Sequence, residues 1–232
     1  MSEGTGTGKI KLFVWDVPTR AFHWGLLALV ALTWATGEGE SDFWFQVHLV
    51  AGYGVLGLLV FRFIWGFAGT RYARFDSFVR PWHIVWDYIK KLAALRPPHS
   101  IGHNPLGGWM VILLLAALAG VVVTGLFGAE SEDGIQEAAG PLAHFVSAAV
   151  ASEMIEMHEE LFNILLILVG IHVAGVVADI VLTRDNLVLA MITGYKKVSP
   201  EKANAAAGTL PYGRAVVAVA AAMAAIWLVL SL

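Results

Sequence analysis

The sequence predicts an all-α integral membrane protein with a cytoplasmic N-terminus. Charged residues make up only 14% of the 232 residues and hydrophobic residues 58%, whereas a soluble domain carries about 25% charged residues. Five apolar stretches approach or exceed the roughly 20 residues that cross a bilayer. All lysines and arginines fall at one side of these stretches. An ordinary soluble domain, a disordered chain and a nucleic-acid-binding protein are therefore excluded.

The five predicted spans belong to one membrane domain, residues 1–232. They cover approximately residues 21–37, 44–67, 106–128, 154–182 and 212–232. The first span is the shortest and becomes long enough if its helix begins near Pro18, just after Asp16. It lacks the flanks of a signal peptide, so we expect it to be a permanent helix.

Shorter elements are expected between the spans. Residues 81–96 start with proline and carry Trp, Tyr and Lys, which is typical of an interfacial amphipathic helix. Residues 185–195 predict a second surface helix, capped by Asp185. A short helix is expected around 141–151, in a connection that is otherwise rich in glycine and acidic residues. Asn104 is expected to cap the third span.

The positive residues predict the orientation. The 15 lysines and arginines lie before span 1, between spans 2 and 3, and between spans 4 and 5, or at the adjoining span ends. The other two connections have none, so the positive-inside rule places the N-terminus in the cytoplasm and the C-terminus outside. Acidic residues show the opposite bias. Eleven are expected on the outer side: Glu38, Glu40, Asp42, Glu130, Glu132, Asp133, Glu137, Glu153, Glu156, Glu159 and Glu160.

Four of the eight histidines lie within predicted spans, where an ionisable side chain is costly and indicates a functional site. His23 lies near the inner end of span 1, and His48 near the outer end of span 2. His158 and His172 both lie in span 4. Their spacing corresponds to a rotation of only about 40° and a rise of about 21 Å along an α-helix. Depth therefore pairs His48 with His158 on the outer side and His23 with His172 on the inner side.

Two imidazoles that face each other across an apolar bundle are the ligand set of a bis-histidine haem. The chain has no cysteine, which excludes a covalently attached c-type haem. Gly25, Gly52 and Gly175 lie within one turn of these histidines, where a missing side chain lets a porphyrin approach the backbone. A carboxylate di-metal site is disfavoured because no span histidine has a glutamate three positions before it. The sequence thus predicts non-covalent haem at two levels.

Several motifs resemble one known family in order and in spacing. They are Trp15-Asp16-x-Pro18-Thr19-Arg20-x-x-His23-Trp24, His48-x-x-x-Gly52, Arg62-Phe63-Ile64-Trp65-Gly66-Phe67-Ala68-Gly69, Gly102-His103-Asn104-Pro105-Leu106-Gly107, His158-Glu159 and His172-Val173-Ala174-Gly175. With these residues the chain resembles the bacterial cytochrome b561 family, in the branch that includes the b-type cytochrome subunit of nickel–iron hydrogenases. The resemblance covers about residues 9–197 and leaves 212–232 as an additional C-terminal span.

The resemblance implies a four-helix bundle that holds two haem b groups between His23, His48, His158 and His172. It also implies electron transfer between the quinone pool and a redox partner, in the bacterial cytoplasmic (inner) membrane. A periplasmic c-type cytochrome, a dehydrogenase or a hydrogenase subunit would be such a partner. Arg20 and Arg62 are candidates to pair with haem propionates, and equally to be ordinary positive flanks of a span. Candidate quinone contacts are His103, Asn104, Trp82 and Tyr72 on the inner side, and His144, Glu153, Glu156 and Glu159 on the outer side.

The residues leave other functions open. A stand-alone superoxide:quinone oxidoreductase of the same fold is one alternative, although the acidic outer face would repel an anionic substrate. A non-redox scaffold with packed histidines is another. For His103, a structural role beside the Asn104 cap competes with proton handling beside a quinone. A subunit of an oxidoreductase complex, with a basic outer partner, is favoured over an enzyme acting alone.

Overall fold

The computed structural model describes residues 10–37, 39, 41–132, 135–199 and 211–232, with residues 130–132 and 135–137 described by their backbone only. Three of the predicted outer acids, Glu38, Glu40 and Asp133, lie outside the described residues. In chain order the elements are β1 (Ile10–Phe13), α1 (Val17–Gly37), α2 (Asp42–Ala68), α3 (Phe75–Phe78), α4 (Trp82–Ala93), α5 (Pro105–Phe127), β2 (Ala129–Glu132), β3 (Ile135–Ala139), a 3-10 turn (Ala143–Phe145), α6 (Ala148–Thr183), α7 (Leu187–Thr193), β4 (Tyr195–Val198) and α8 (Tyr212–Ser231).

Each predicted span coincides with a long helix. Among the described helices, α2, α5, α6 and α8 are long and apolar enough to cross a membrane. The 21-residue α1 is not among these four, because Arg20 and His23 make its first turns more polar. It packs along α2. The structure therefore contains an all-helical membrane bundle with four clear spanning candidates and α1 beside them.

The two predicted surface helices are present as α4 and α7. The expected cap of α7 was wrong by one residue: Asn186, not Asp185, caps it, with Oδ1 accepting from the Leu189 N–H at 2.8 Å. The Asp185 side chain turns instead toward His99, with 3.1 Å between Oδ2 and Nδ1. The helix ends at Gly194, whose φ of 88° suits glycine.

Two short antiparallel strand pairings were not predicted. At the inner end, β1 pairs with β4 from Ile10 opposite Val198 to Phe13 opposite Tyr195. At the outer end, β2 pairs with β3. The helix expected around 141–151 is only one 3-10 turn, followed by the start of α6. This turn is tied to the end of α5, because the Leu142 N–H donates to the Leu126 carbonyl at 2.9 Å.

The helices α1, α2, α5 and α6 form two pairs that meet in the middle of the bundle, and α8 packs against one of them. Extensive packing joins α1 with α2, α5 with α6, and α8 with α2. Buried Val55, Leu118, Val121 and Leu165 form an apolar layer between the two pairs. On the other side of α2, Ala218 and Ala222 of α8 pack near Trp65. The apolar layer lies between the depths of the two histidine pairs.

The start of α1 is locked to the end of α2 by a buried carboxylate. Asp16 is 1% exposed. Its carboxylate accepts from the Thr19 N–H at 2.6 Å, from the Trp65 indole N–H at 3.2 Å and from the Thr70 hydroxyl. The first bond caps the helix, and the others join it to α2 and the loop that follows. This part of the first motif is therefore scaffold for the inner end of the bundle.

Candidate functional site

The outer histidines face each other between α2 and α6. The ring centroids of His48 and His158 are 6.1 Å apart, and the ring planes are inclined by 67°. When two imidazoles bind the same metal ion, each through one nitrogen at about 2 Å, their ring centres lie about 6 Å apart. The observed separation therefore fits a metal centre held between these two rings.

Backbone carbonyl groups set the tautomer of both outer histidines. Nδ1 of His48 lies 3.0 Å from the Thr33 carbonyl oxygen in α1, and Nδ1 of His158 lies 2.8 Å from the Val121 carbonyl oxygen in α5. A carbonyl oxygen only accepts, so both Nδ1 atoms carry the proton and both Nε2 atoms carry a free lone pair. Metal-ligating histidines have this arrangement, with the second nitrogen donating to a carbonyl or carboxylate. The outer pair is thus oriented for ligation by the helices themselves.

A glycine in α5 makes room for the His158 ring. A Cβ on Gly125 would lie 2.7 Å from Cε1 and 2.8 Å from Nδ1 of His158, which is closer than real contacts allow. On the other side, a Cβ on Gly37 would lie 3.6 Å from the His48 ring, an ordinary contact. The ring of His158 is therefore the more tightly enclosed of the two.

Three histidines lie within electrostatic range of one another at the inner level. His172 is close enough for its charge to interact with His23, and both interact electrostatically with His103. The His103 ring packs between the rings of Trp15 and Phe78, with centroid distances of 4.7 Å and 4.6 Å. Burial, and next the positive charge of Arg62, lowers the pKa of His103 to about 3. His103 is therefore a neutral imidazole beside the inner pair.

Two ring nitrogens at this level have no hydrogen-bond partner among the described residues. They are Nδ1 of His23 and Nδ1 of His103, and both are enclosed. A buried polar atom left without a partner costs about 1–3 kcal/mol. Such a cost is tolerated where a bound group completes the site, so the inner level also fits an additional group.

Glycines leave open space beside both levels. A Cβ on Gly52, one turn after His48, or on Gly175, one turn after His172, would meet nothing within 4 Å. Gly25 differs from expectation, because its Cβ would lie 3.5 Å from Leu58 and it therefore serves helix packing. In the described part of the chain, no group of three or more His, Asp and Glu side chains is arranged to hold a bare metal ion. A porphyrin, which supplies four further ligands to its iron, fits these two-histidine sites.

Comparison with known proteins assigns the bundle to a family. The family model of the prokaryotic cytochrome b561 matches residues 14–194. The chain belongs to this family. It is therefore a membrane b-type cytochrome of electron transfer, and its cofactor is haem b. No solved structure matches the chain significantly.

Curated relatives of this cytochrome share a low level of identity over most of its length. The Escherichia coli (strain K12) protein named "Probable Ni/Fe-hydrogenase 1 B-type cytochrome subunit" is 25% identical over 214 residues, which cover 79% of this chain and 90% of the relative. A similarly named subunit of Bradyrhizobium diazoefficiens is 24% identical, covering 82% and 87%. One of Azotobacter vinelandii is 23% identical, covering 87% and 97%. The similarity thus extends over nearly the whole length of each relative.

The two arginines predicted from the sequence as candidate propionate partners already contact protein groups. Arg62 is 3% exposed and donates through Nη1 to the Ala73 carbonyl at 3.0 Å. Its guanidinium lies 4.9 Å from the centre of the Phe75 ring. Arg20 donates to the Ile192 carbonyl through Nη1, whereas its Nε is enclosed and has no partner among the described residues. Arg62 therefore stabilises the inner end, and Arg20 retains one unused donor.

Asp179 was not predicted as a contact residue, yet it joins three elements of the cytochrome. Its Oδ2 accepts from the Asn104 amide at 2.8 Å and from the Tyr88 hydroxyl at 3.4 Å. Asn104 caps α5 as expected, with Oδ1 accepting from the Gly107 N–H at 2.6 Å. Burial and the Asp179 carboxylate raise the pKa of Tyr88 to about 12. Asn104 and Asp179 thus fasten α4 and α5 to α6.

The candidate quinone contacts do not all lie together. On the inner side, Tyr72 and His103 line one cleft of about 290 Å³, whereas Trp82 is 64% exposed and does not line it. On the outer side, the His144 ring packs on Phe145 at a centroid distance of 4.1 Å. The three outer candidates on α6 are exposed: Glu153, Glu156 and Glu159.

Proposed function

We propose that this chain is a di-haem cytochrome that transfers electrons between the quinone pool and a partner redox protein in the bacterial cytoplasmic membrane. The observation that carries the proposal is the placement of two histidine groups at two depths of one bundle. The outer pair has a ring separation of 6.1 Å, and both of its Nε2 lone pairs are free. The inner pair lies deeper along α6 and beside enclosed, unpartnered ring nitrogens.

His48 and His158 are the proposed ligands of the outer haem b, and His23 and His172 those of the inner haem b. Haem bound in this way supplies a one-electron redox centre without an open iron position. The carbonyl groups of Thr33 and Val121 hold the outer rings in position and increase the electron donation of Nε2. The unused Nε donor of Arg20 supports its role as a propionate contact, and the enclosed cation of Arg62 adds positive charge nearby.

The apolar layer separates the two levels. Leu118 and Leu165 are both 4% exposed, and they exclude water between the histidine groups. A low dielectric surrounding stabilises the less charged state of each centre and limits reorganisation when an electron moves. The protein contribution to electron transfer is thus fixed ligation together with dry packing.

The membrane arrangement is part of the proposal. The helix α1 is the first span, so the chain crosses five times, with its N-terminus in the cytoplasm as the positive residues indicate. The helix α8 is an additional span packed on α2. One domain therefore contains both haem levels.

A nickel–iron hydrogenase is the proposed partner. The relatives are named as B-type cytochrome subunits of such enzymes, and similarity covers nearly their whole length. The acidic outer surface expected from the sequence would favour a basic partner surface there. The quinone pool is the proposed electron acceptor or donor on the membrane side.

The haem stoichiometry tests the central claim. In detergent-purified protein, pyridine haemochrome analysis is expected to give two b-type haems for each chain. The double variant His48→Ala/His158→Ala is expected to retain one. A wild-type value of one would remove one of the two proposed sites, and a value of zero would contradict the proposal.

The partner is tested separately. In membranes that contain this cytochrome and a nickel–iron hydrogenase, hydrogen is expected to reduce the haem iron within the time of enzyme turnover. The change in the haem absorption spectrum measures this reduction. The matched control is the same membrane under argon. If quinol reduces the haem but hydrogen does not, the hydrogenase partner is wrong and the cytochrome assignment stands.

A further inference from the structure

Three arginines surround one cleft at the inner end of the bundle. The cleft has a volume of about 250 Å³ and lies in the connection between α2 and α4. We call it the arginine cleft; its lining residues are Arg71, Tyr72, Arg74, Asp76, Ser77 and Arg80. It adjoins the cleft that Tyr72 and His103 line, and Arg71, Tyr72, Ser77 and Arg80 line both.

The charge of the arginine cleft is positive. Among the described lining residues Asp76 is the single acidic one, and it lies beside Arg74, with 3.3 Å between Oδ1 and Nε. Arg80 is held by the main chain, since its Nη2 donates to the Ser77 carbonyl at 2.7 Å. Among the described lining residues, three guanidinium groups accompany one carboxylate, so this part of the lining is mainly cationic. Guanidinium groups bind phosphate oxygens in a planar, two-point geometry, so the cleft fits a phosphate-bearing anion.

An apolar surface begins next to the arginine cleft. Phe75 lies in the chain between Arg74 and Asp76, and its ring contacts Phe67 at a centroid distance of 5.3 Å. Phe67 in turn contacts Phe63 at 5.3 Å. These two α2 residues are 64% and 63% exposed, so they continue from the cleft along the membrane-facing side of the helix.

The helix after the arginine cleft has an interfacial character. Trp82 and Trp86 of α4 are 64% and 51% exposed, and the last turn of α4 carries Lys90 and Lys91. Tryptophan rings and lysines of this kind lie at the level of lipid headgroups. Basic pockets beside spanning helices on this side of a membrane are suited to anionic headgroups.

We propose that the arginine cleft binds the phosphate of an anionic phospholipid, with the acyl chains of the lipid lying along Phe67 and Phe63. The guanidinium groups recognise the phosphate, and the exposed phenyl rings distinguish a lipid from free phosphate. Bound lipid holds the α2–α4 connection, whose Phe75 and Phe78 pack around Arg62.

Lipid binding to the full-length, delipidated cytochrome tests the proposal. Native mass spectrometry would compare phosphatidylglycerol with phosphatidylcholine, which carries the same phosphate without net charge. We expect at least about tenfold tighter binding of phosphatidylglycerol. For Arg71→Gln/Arg74→Gln/Arg80→Gln, we expect this preference to fall by about tenfold, as the loss of one or two charge-assisted hydrogen bonds implies.

Matched variants separate the cleft from general positive charge. The control Arg96→Gln/Arg184→Gln/Arg214→Gln removes the same charge at the same end of the bundle and should keep the preference. The variant Arg71→Lys/Arg74→Lys/Arg80→Lys keeps charge without the planar fork and should give an intermediate value. If the Gln variant fails to fold, as judged by its thermal melt, the preference of the Lys variant for phosphatidylglycerol tests the proposal instead.

Competition with inorganic phosphate identifies the source of the anion. At about 10 mM, which stays well below the physiological ionic strength of about 0.15 M, phosphate should displace little phosphatidylglycerol. Complete displacement would show a site for a free anion and overturn the lipid assignment. Equal loss in the cleft and control variants, or no preference for phosphatidylglycerol, would overturn the proposal, whatever the haem content.

Discussion

The two histidine levels of the bundle are built in different ways. At the outer level, His48 and His158 are each held by a helix carbonyl, at 3.0 Å and 2.8 Å. At the inner level, Nδ1 of His23 has no described partner, and a third imidazole, His103, is present. The proposed outer ligands are therefore oriented by the helices alone. The proposed inner set depends on the loops of the inner end and on the group that it would bind.

Removing single ligands should produce the largest effects and test whether the two levels are independent. His158→Ala should lose the outer haem and retain the inner one, whereas His172→Ala should do the reverse. The two variants are matched because both lie in α6. Pyridine haemochrome analysis and a redox titration should each show one remaining component, with a different midpoint potential in each variant. If both variants lose the same component, the depth pairing is wrong.

Gly125→Ala should selectively damage the outer level. The added Cβ would lie 2.7 Å from the His158 ring, so the ring must move and weaken its bond to the Val121 carbonyl. Loss of the hydrogen bond that orients a metal-ligating histidine typically weakens metal binding by about 10–100-fold. Outer haem occupancy is measured after dilution into haem-scavenging apomyoglobin.

Gly37→Ala is the control for this variant, because its Cβ would lie at an ordinary 3.6 Å from the His48 ring. It should keep both haems. Equal haem loss in the two variants would mean that helix stability, and not ring position, controls the outer site.

Asp16→Ala should weaken the inner level and leave the outer one intact. The substitution leaves the Trp65 indole N–H and the Thr70 hydroxyl without their acceptor, at a cost of about 1–3 kcal/mol in the free energy of unfolding. We expect earlier loss of the inner haem during a thermal melt followed by absorption. The exposed Asp42 provides the control as Asp42→Ala, and a matching loss there would refute the local role of Asp16.

His103→Gln should have the smallest effect. His103 is neutral and lies beside the inner pair, so we expect two haems to remain. The inner midpoint potential should shift by a few tens of millivolts, less than the 59 mV that corresponds to about tenfold for one electron. His99→Gln, at an exposed histidine, is the control and should leave the potential unchanged. A lost haem in His103→Gln would make His103 a ligand and overturn the inner assignment.

Depth and periodicity were enough to predict the helices and the outer histidine pair. Apolar length locates α2, α5, α6 and α8, and helical geometry relates His158 to His172. The carbonyl partners Thr33 and Val121 were not predictable, because every residue has a carbonyl and only the crossing of the helices selects one.

The inner end was harder to predict because loops build it. His103 reaches the inner level only when the chain before α5 folds against Trp15 and Phe78. Likewise, Asp16 accepts hydrogen bonds from nearby Thr19 and from the distant residues Trp65 and Thr70. At the start of α7, Asn186 and Asp185 are both residue types that cap a helix. Such choices depend on long-range packing, which local propensity does not contain.

The bond from His158 to the Val121 carbonyl has a consequence for sequence variation. The oxygen belongs to the main chain, and any side chain at position 121 that fits the apolar layer leaves it unchanged. The constraint falls on Gly125 instead, one turn later, where even a methyl group collides with the ring. The helix α5 contains no histidine, yet a mutational survey should find position 121 permissive and position 125 restricted to glycine. The effect of α5 on the His158 ring of α6 would then be visible only through the side chain that position 125 must lack.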